Sequence, residues 1–221
     1  LKIVVLTGAG ISAESGISTF RDSNGLWENH DIEEVATPSG WCLNPELVTR
    51  FYNQRRAQLH TVHPNAAHHA LVELAKYHDV SIITQNVDDL HERAGSKNVM
   101  HLHGELLKSR DEETEETYDQ LGDMTFGDKS PSGNLLRPHI VWFFEAVPKI
   151  IDAQKEVQTA DKLIVIGTSL QVYPAAGLLE FAPEHCEVIL IDPVDPDTRG
   201  RYRFLQGTAS EQVPALVHEL I

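Results

Sequence analysis

The stretch Ile3-Val4-Val5-Leu6-Thr7-Gly8-Ala9-Gly10-Ile11-Ser12-Ala13 decides how the rest of the chain is read. Its first four residues form a short β-branched, apolar run, the pattern of a strand buried on both faces. The Gly-x-Gly-x-x-Ala behind it is a turn in which backbone N–H groups can approach a dinucleotide pyrophosphate at a helix start. Gly8 and Gly10 allow the close approach, and Ala13 holds the position where helix and sheet must pack tightly. An ordinary strand–helix turn needs no more than this, so the fingerprint alone assigns no ligand. The residues up to Trp27 are polar and turn-rich, where a dehydrogenase would place a second strand ending in an acid.

Outward from this unit, Val80–Thr84, Leu163–Gly167 and Val188–Ile191 are further apolar runs, each ending in a polar or glycine-containing loop. Helical patterns separate them, so the expected fold is α/β, a Rossmann-like parallel sheet with helices on both faces. Pro45 opens a helix through Leu47, Val48, Phe51 and Tyr52, and Pro64 opens another whose Ala67, Leu71, Leu74 and Ala75 share a face. A closing amphipathic helix is expected over Pro214–Ile221. Two stretches do not fit the alternation: about 26–62, helical and loop-like, and about 105–138, acidic and irregular.

The 221 residues carry a formal net charge of −15, which argues against a nucleic-acid surface. No apolar run approaches the length of a membrane span, and no charged-then-apolar leader is visible, so no membrane role is expected. Only Cys42 and Cys186 occur, which fits a reducing compartment, and a cytoplasmic location is expected.

Several clusters carry chemistry. Thr84-Gln85-Asn86-Val87-Asp88 ends a buried strand, and its amide and carboxylate can recognise a carboxamide, although an isolated Asn/Asp turn would look the same. His103, followed by Gly104, offers an imidazole suited to a general base on a ribose hydroxyl. His63, His68 and His69, and His101 with His103, do not make metal sets, because no Cys or carboxylate completes either at ligand spacing. Gly167-Thr168-Ser169 presents small and hydroxyl groups to phosphate and ribose, and Asp192 at a strand end suits ribose hydroxyls. Tyr52 and Arg55 stand three residues apart on one side of a helix and make a fork for a carboxylate. The same spacing fits an exposed face with Arg55 and Arg56 in solvent.

Together with Ser15-Gly16-Ile17-Ser18-Thr19-Phe20-Arg21-Asp22 and His101-Leu102-His103-Gly104, these motifs resemble the sirtuins, the NAD-consuming protein deacylases, over nearly the whole chain. The resemblance implies NAD as cofactor and acyl-lysine proteins or peptides as partners. It implies that Gly8, Ala9, Gly10, Ser12, Ala13, Gly167, Thr168, Ser169 and Asp192 bind the cofactor, that Phe20 shields the reacting sugar and that Arg21 orders the loop around it. Gln85 matches a residue near the nicotinamide ribose, Ala209 one that backs the adenine, and Asn86 and Asp88 the nicotinamide pocket, with His103 as base. The acyl oxygen then attacks the anomeric carbon as nicotinamide leaves, and free lysine and O-acyl-ADP-ribose result.

Arg137–Glu145 resembles the sirtuin substrate strand, with Val141 and Phe143 lining the acyl-lysine tunnel; Phe144 stands where the family usually has Gly. Tyr52, Arg55 and Ala36, the last widening the pocket, resemble the branch that removes succinyl, malonyl and glutaryl groups. Two insertions then make a small domain of 26–75 and 105–138, leaving 1–25, 76–104 and 139–221 for the NAD-binding domain. Most sirtuins hold a structural zinc on two Cys-x-x-Cys pairs between the positions of His103 and Pro138. This chain has no cysteine there, so no metal is expected, and the module must be held by packing or be partly mobile. Mono-ADP-ribosyl transfer and non-catalytic NAD or ADP-ribose sensing are the competing functions.

Overall fold

In the computed structural model, residues 1–18, 26–27, 30–198 and 200–221 are described, with the side chains of Leu26 and Trp27 left aside. β1 (Lys2–Thr7) leads into the short α1 (Gly10–Ala13); β2 (Leu26–Trp27) and β3 (His30–Asp31) form a small antiparallel pair. Four helices follow: α2 (Ile32–Val35), α3 (Pro38–Leu43), α4 (Pro45–Leu59) and α5 (Ala66–Leu74). Then come β4 (Asp79–Thr84), α6 (Leu90–Ala94), β5 (Val99–His101), β6 (Gly104–Asp111), β7 (Thr117–Asp119) and β8 (Leu136–Ile140). The chain closes with α7 (Ile150–Gln158), β9 (Lys162–Ile166), a 3₁₀ segment Ala175–Phe181, β10 (Glu187–Asp192), β11 (Arg203–Gln206) and α8 (Ala209–Leu220).

Six strands make one parallel sheet in the order β11-β10-β9-β1-β4-β5. The four apolar runs expected as strands are β1, β4, β9 and β10, at its centre. The edge strands β5 and β11 are short and partly exposed, which is why no apolar run announces them. One face of the sheet buries Ile3, Val5, Ile82, Ile164 and Ile189 against α5 and α8; the other buries Val4, Leu6, Leu163, Val165 and Leu190 against Ala153 and Val157 of α7 and Leu178. Alternate residues of one strand thus serve opposite layers, the condition for a continuous apolar run. From β1 the chain first adds β4 and β5 on one side and later β9, β10 and β11 on the other, and the crevice at that reversal is where this architecture places ligands.

Four expectations need correction. The helix after Pro64 begins at Ala66, with Asn65 accepting from the Ala67 N–H at 2.9 Å and His68 Nδ1 accepting from the Asn65 N–H at 3.2 Å. This helix packs its Ala67, Leu71 and Leu74 on the main sheet, so the boundary at 75 falls one helix too late. The last helix starts at Ala209, five residues before Pro214. An interior Pro costs about 3 kcal/mol, and burial of Ala209, Val213, Leu216 and Val217 against the sheet opposes that cost. Finally, 105–138 is not irregular throughout: β7-β6-β8 form an antiparallel sheet. Charged residues in Lys108-Ser109-Arg110-Asp111 hide the inward alternation of β6.

A third cluster unites Val35, Trp41, Val48, Phe51, Tyr52 and Leu59 of the helical segment with Leu90, Leu106, Ile140 and Trp142. Beyond it, the expected packing is supplemented by a carboxylate. Asp111, fully buried, accepts from Ser130 Oγ at 2.6 Å, the Glu113 and Thr114 N–H groups at 2.8 and 3.0 Å, and Asn134 Nδ2 at 3.2 Å. The Ser130 hydroxyl above all holds its pKa down to about 2, against the opposing effect of burial. The hub ties β6 to the loop before β8, in the region where the resemblance places cysteine pairs. Among the described residues, no three His, Cys, Asp or Glu side chains gather as a metal site.

Candidate active site

The loop after β1 and the loop after β9 meet at the sheet's reversal point. Gly10 N–H donates to the Gly167 carbonyl at 2.8 Å, and Gly8 N–H to that of Ile166 at 3.0 Å. A Cβ on Gly10 would stand 2.6 Å from Gly167 Cα, and one on Gly8 would stand 2.7 Å from the Gly167 oxygen. Gly167 itself has φ +61°, and its Cβ would lie 2.4 Å from Ile11 N. The glycines are therefore demanded by contact between two loops as well as by any ligand.

A cavity of about 520 Å³ opens over this junction. Gly8, Ala9, Gly10, Ser12 and Ala13 line it from β1; Gly167, Thr168 and Ser169 from β9; Asp192 from β10; and Ala209 from α8. Its volume is in the range of cofactor sites, and glycine loops at strand carboxyl ends suit a dinucleotide. The residues present fit NAD on these grounds. Phe20 and Arg21 lie outside the described residues.

The loop after β4 forms the inner wall. Ser12 Oγ, fully buried, donates to Asp88 Oδ2 at 2.9 Å and lies 3.3 Å from Asn86 Nδ2, which also donates to the Gly8 carbonyl at 3.1 Å. Asp88 Oδ1 accepts from the Leu90 N–H at 3.1 Å. Burial raises the Asp88 pKa, opposed by these hydrogen bonds. Gln85 Nε2 donates to Thr168 Oγ1 at 3.1 Å, joining this wall to the β9 loop.

His103 faces the same cavity. Its Nδ1 is 3.0 Å from the Gln85 carbonyl, an acceptor only, so the proton sits on Nδ1 and Nε2 carries the lone pair. Burial lowers its pKa, against the effect of that hydrogen bond, so the ring is neutral at pH 7. Gly104 behind it has φ +86°, and a Cβ there would lie 2.1 Å from the His139 carbonyl oxygen.

On the outer wall, Val141 N–H donates to the His103 carbonyl at 2.9 Å, and Phe143 N–H to that of Ala36 at 3.0 Å. All four residues line the cavity. The expected strand through 137–145 stops at Ile140; Phe144, with φ +71°, turns the chain. Arg137 fixes this turn, with Nη1 donating to Glu145 Oε1 at 2.8 Å and its guanidinium 3.4 Å over the Trp142 ring.

Arg55 reaches the cavity, beside Ala36, Leu59, Leu106 and Trp142, and its guanidinium lies 5.1 Å from the Phe51 ring centre. The expected fork is incomplete at the surface: Tyr52 is fully buried behind the wall and is not among the cavity residues. Its hydroxyl accepts from Trp142 Nε1 at 3.0 Å. Arg56 is not solvated either; its Nε donates to the Leu106 carbonyl at 3.1 Å. Sequence reasoning missed Trp142, which both caps Tyr52 and lines the cavity; an aromatic in a strand pattern reads as core. It also missed Tyr173 and Val194, which line the cavity from loops without a motif.

The Sir2 family model matches residues 8–174. An NAD-dependent protein deacylase of Bacteroides thetaiotaomicron is 53% identical over 229 aligned positions, covering 100% of this chain and 98% of that protein. The crystal structure of a Sir2 homologue with NAD superposes with a TM-score of 0.89 at 40% identity, covering 99% of this chain and 88% of the other. A Sir2 mutant with a p53 peptide and NAD superposes at 0.82 and 29% identity, covering 98% and 92%. A family match spanning most of the chain, on a sheet whose reversal point carries the site, makes this protein a member of the Sir2 family.

Proposed function

We propose that this Sir2-family enzyme, an NAD-dependent protein deacylase, prefers acyl-lysines whose acyl group ends in a carboxylate: succinyl, malonyl or glutaryl. The observation that carries the reading is that Arg55 and His103 line one cavity with the glycine loops. Arg55 lines the cavity together with Ala36, Gln58, Leu59, Leu106, Ile140 and Trp142. A cation lining a substrate cavity suits an anionic acyl terminus, and a site built for a polar group discriminates against analogues lacking it. Tyr52, pinned by Trp142, stiffens the helix face behind Arg55.

When bound, NAD supplies the electrophilic sugar carbon and nicotinamide as leaving group. The residues do the rest. Gly8, Gly10, Gly167, Thr168 and Ser169 line the cavity where they would leave room for the pyrophosphate and ribose, Asp192 would take ribose hydroxyls, and Ala209 would back the adenine. Asp88 and Asn86 hold the nicotinamide carboxamide, with Ser12 keeping them in register. Gln85 lines the same cavity and would lie beside the nicotinamide ribose. Val141 and Phe143 bracket the acyl-lysine, and Ala36 leaves space for a longer acyl chain. His103 Nε2 takes the ribose hydroxyl proton. Lysine-bearing proteins suit the acidic chain, and the two free cysteines suit the cytoplasm. Among the described residues no helix is long and apolar enough to cross a membrane.

Nicotinamide release from NAD, measured with and without succinyl-lysine peptide, tests the class. Peptide-dependent release with free lysine product is expected. Label from NAD retained on protein would mean ADP-ribosyl transfer, and no release would mean a sensor; either overturns the reading.

A further inference from the structure

The loop that carries Asn86 and Asp88 is held from behind by two histidines of one motif. His103 and His101 grip the adjacent carbonyls of Gln85 and Asn86, through Nδ1 at 3.0 and 2.9 Å. The two rings differ in every other respect. His103 lines the cofactor cavity; His101, closing β5 and 5% exposed, lines a separate cavity of about 220 Å³ on Val87, Asp88 and Glu105. His101 Nε2 lies 2.8 Å from Glu92 Oε1. A carbonyl and a carboxylate are both acceptors, so His101 needs a hydrogen on each nitrogen and is an imidazolium.

The surroundings agree. Glu92 is on α6 together with His91, whose burial lowers its pKa to about 3 and keeps it uncharged. Glu105 and Lys108 face the second cavity from β6, and Asp88, Asp89 and Asp119 complete its charged lining. Burial opposes the cation, but the Glu92 hydrogen bond and charge, with the Asn86 carbonyl and Glu105, raise the His101 pKa.

We propose that His101 is a positioning residue: held as an imidazolium by Glu92, it clamps the Asn86 carbonyl, and full turnover requires that clamp. The proposal rests on the reading of Asn86 and Asp88 as the nicotinamide wall. A group whose folded pKa is raised is fully charged below its ordinary value near 6.5 and loses its effect as pH rises through the folded value. His103 has the opposite shift, so activity gains its base as pH rises from the acid side. The pH profile of kcat/KM for NAD therefore has an acid limb from His103 and an alkaline limb to which His101 contributes.

The test is that profile for wild type, Glu92→Gln, His101→Asn and His101→Ala, with an NMR titration of the His101 ring. Glu92 is 42% exposed on its side chain, so Glu92→Gln leaves the fold intact. It is expected to move the alkaline limb toward acid without moving the acid limb, and to lower kcat/KM about tenfold at pH 8. His101→Asn keeps a donor for the Asn86 carbonyl; it is expected to retain more activity than His101→Ala and to lose that pH dependence. A neutral His101 ring at pH 6, or an alkaline limb indifferent to Glu92→Gln, would overturn the clamp. Asn86→Ala separates the two ideas. If it turns over NAD normally, the nicotinamide-wall reading fails and the proposal with it; if it is inactive while His101 is neutral, the clamp alone fails.

Discussion

Phe144 holds φ +71° at the cavity rim with 90% of its surface exposed, so its side chain contributes almost nothing to burial. The left-handed region costs a non-glycine residue about 1–2 kcal/mol. Glycine avoids that cost and forfeits about 0.4–1 kcal/mol through the greater freedom of its unfolded chain. Phe144→Gly should therefore stabilise the protein by about 0.5–1 kcal/mol, and at this chain length 1 kcal/mol moves Tm by about 2–4 °C. Phe144→Ala is the control, because it removes the ring but keeps the backbone cost; it should melt no higher than wild type. Calorimetry on the three proteins reads this directly. On the proposed substrate path past this rim, Phe144→Gly should also lower the peptide KM several-fold and leave the KM for NAD unchanged. Equal melting of the Gly and Ala variants would refute the claim that the turn is held at positive φ.

Three further outcomes follow from the same residues. His103→Ala should lose about 10²–10⁴-fold in deacylation while still binding NAD, checked by calorimetric titration, since the His103 ring bonds the Gln85 carbonyl and not the glycine loops. Asp111 has a depressed pKa, so its contribution to stability is present above the unfolded value near 4 and fades as pH falls toward about 2; urea midpoints of wild type and Asp111→Ala should differ at pH 7 and converge near pH 2. Elemental analysis should find no stoichiometric zinc, and chelator should leave the melting curve unchanged.

Much of this was legible in the residues. Ile3–Leu6 and the three later apolar runs are the central strands because burial on both faces leaves no polar alternation to confuse. Edge strands β5 and β11 lack that signal, and the charges of Lys108-Ser109-Arg110-Asp111 conceal β6. Asn86, Asp88 and His103 could be named because their motifs resemble those of a known family, and the fold brings all three to one cavity. Long-range partnerships could not: Trp142 on the Tyr52 hydroxyl, Ser130 and Asn134 on Asp111, and Glu92 on His101 join segments whose pairing only the fold decides. Tyr52 shows the limit most clearly, since helical spacing gave its side of α4 but not how deep its hydroxyl would lie.

The central claim is that Arg55 receives an acyl carboxylate, and the direct measurement is kcat/KM on one peptide bearing succinyl- or acetyl-lysine, for wild type and Arg55→Met. Loss of a buried charge pair costs about 3–5 kcal/mol, or roughly 10²–10⁴-fold in rate. The account predicts that desuccinylation falls by that factor while deacetylation is largely kept, so that the preference shrinks or inverts. An equal fall in both activities, or a wild-type enzyme that favours acetyl-lysine, would contradict it.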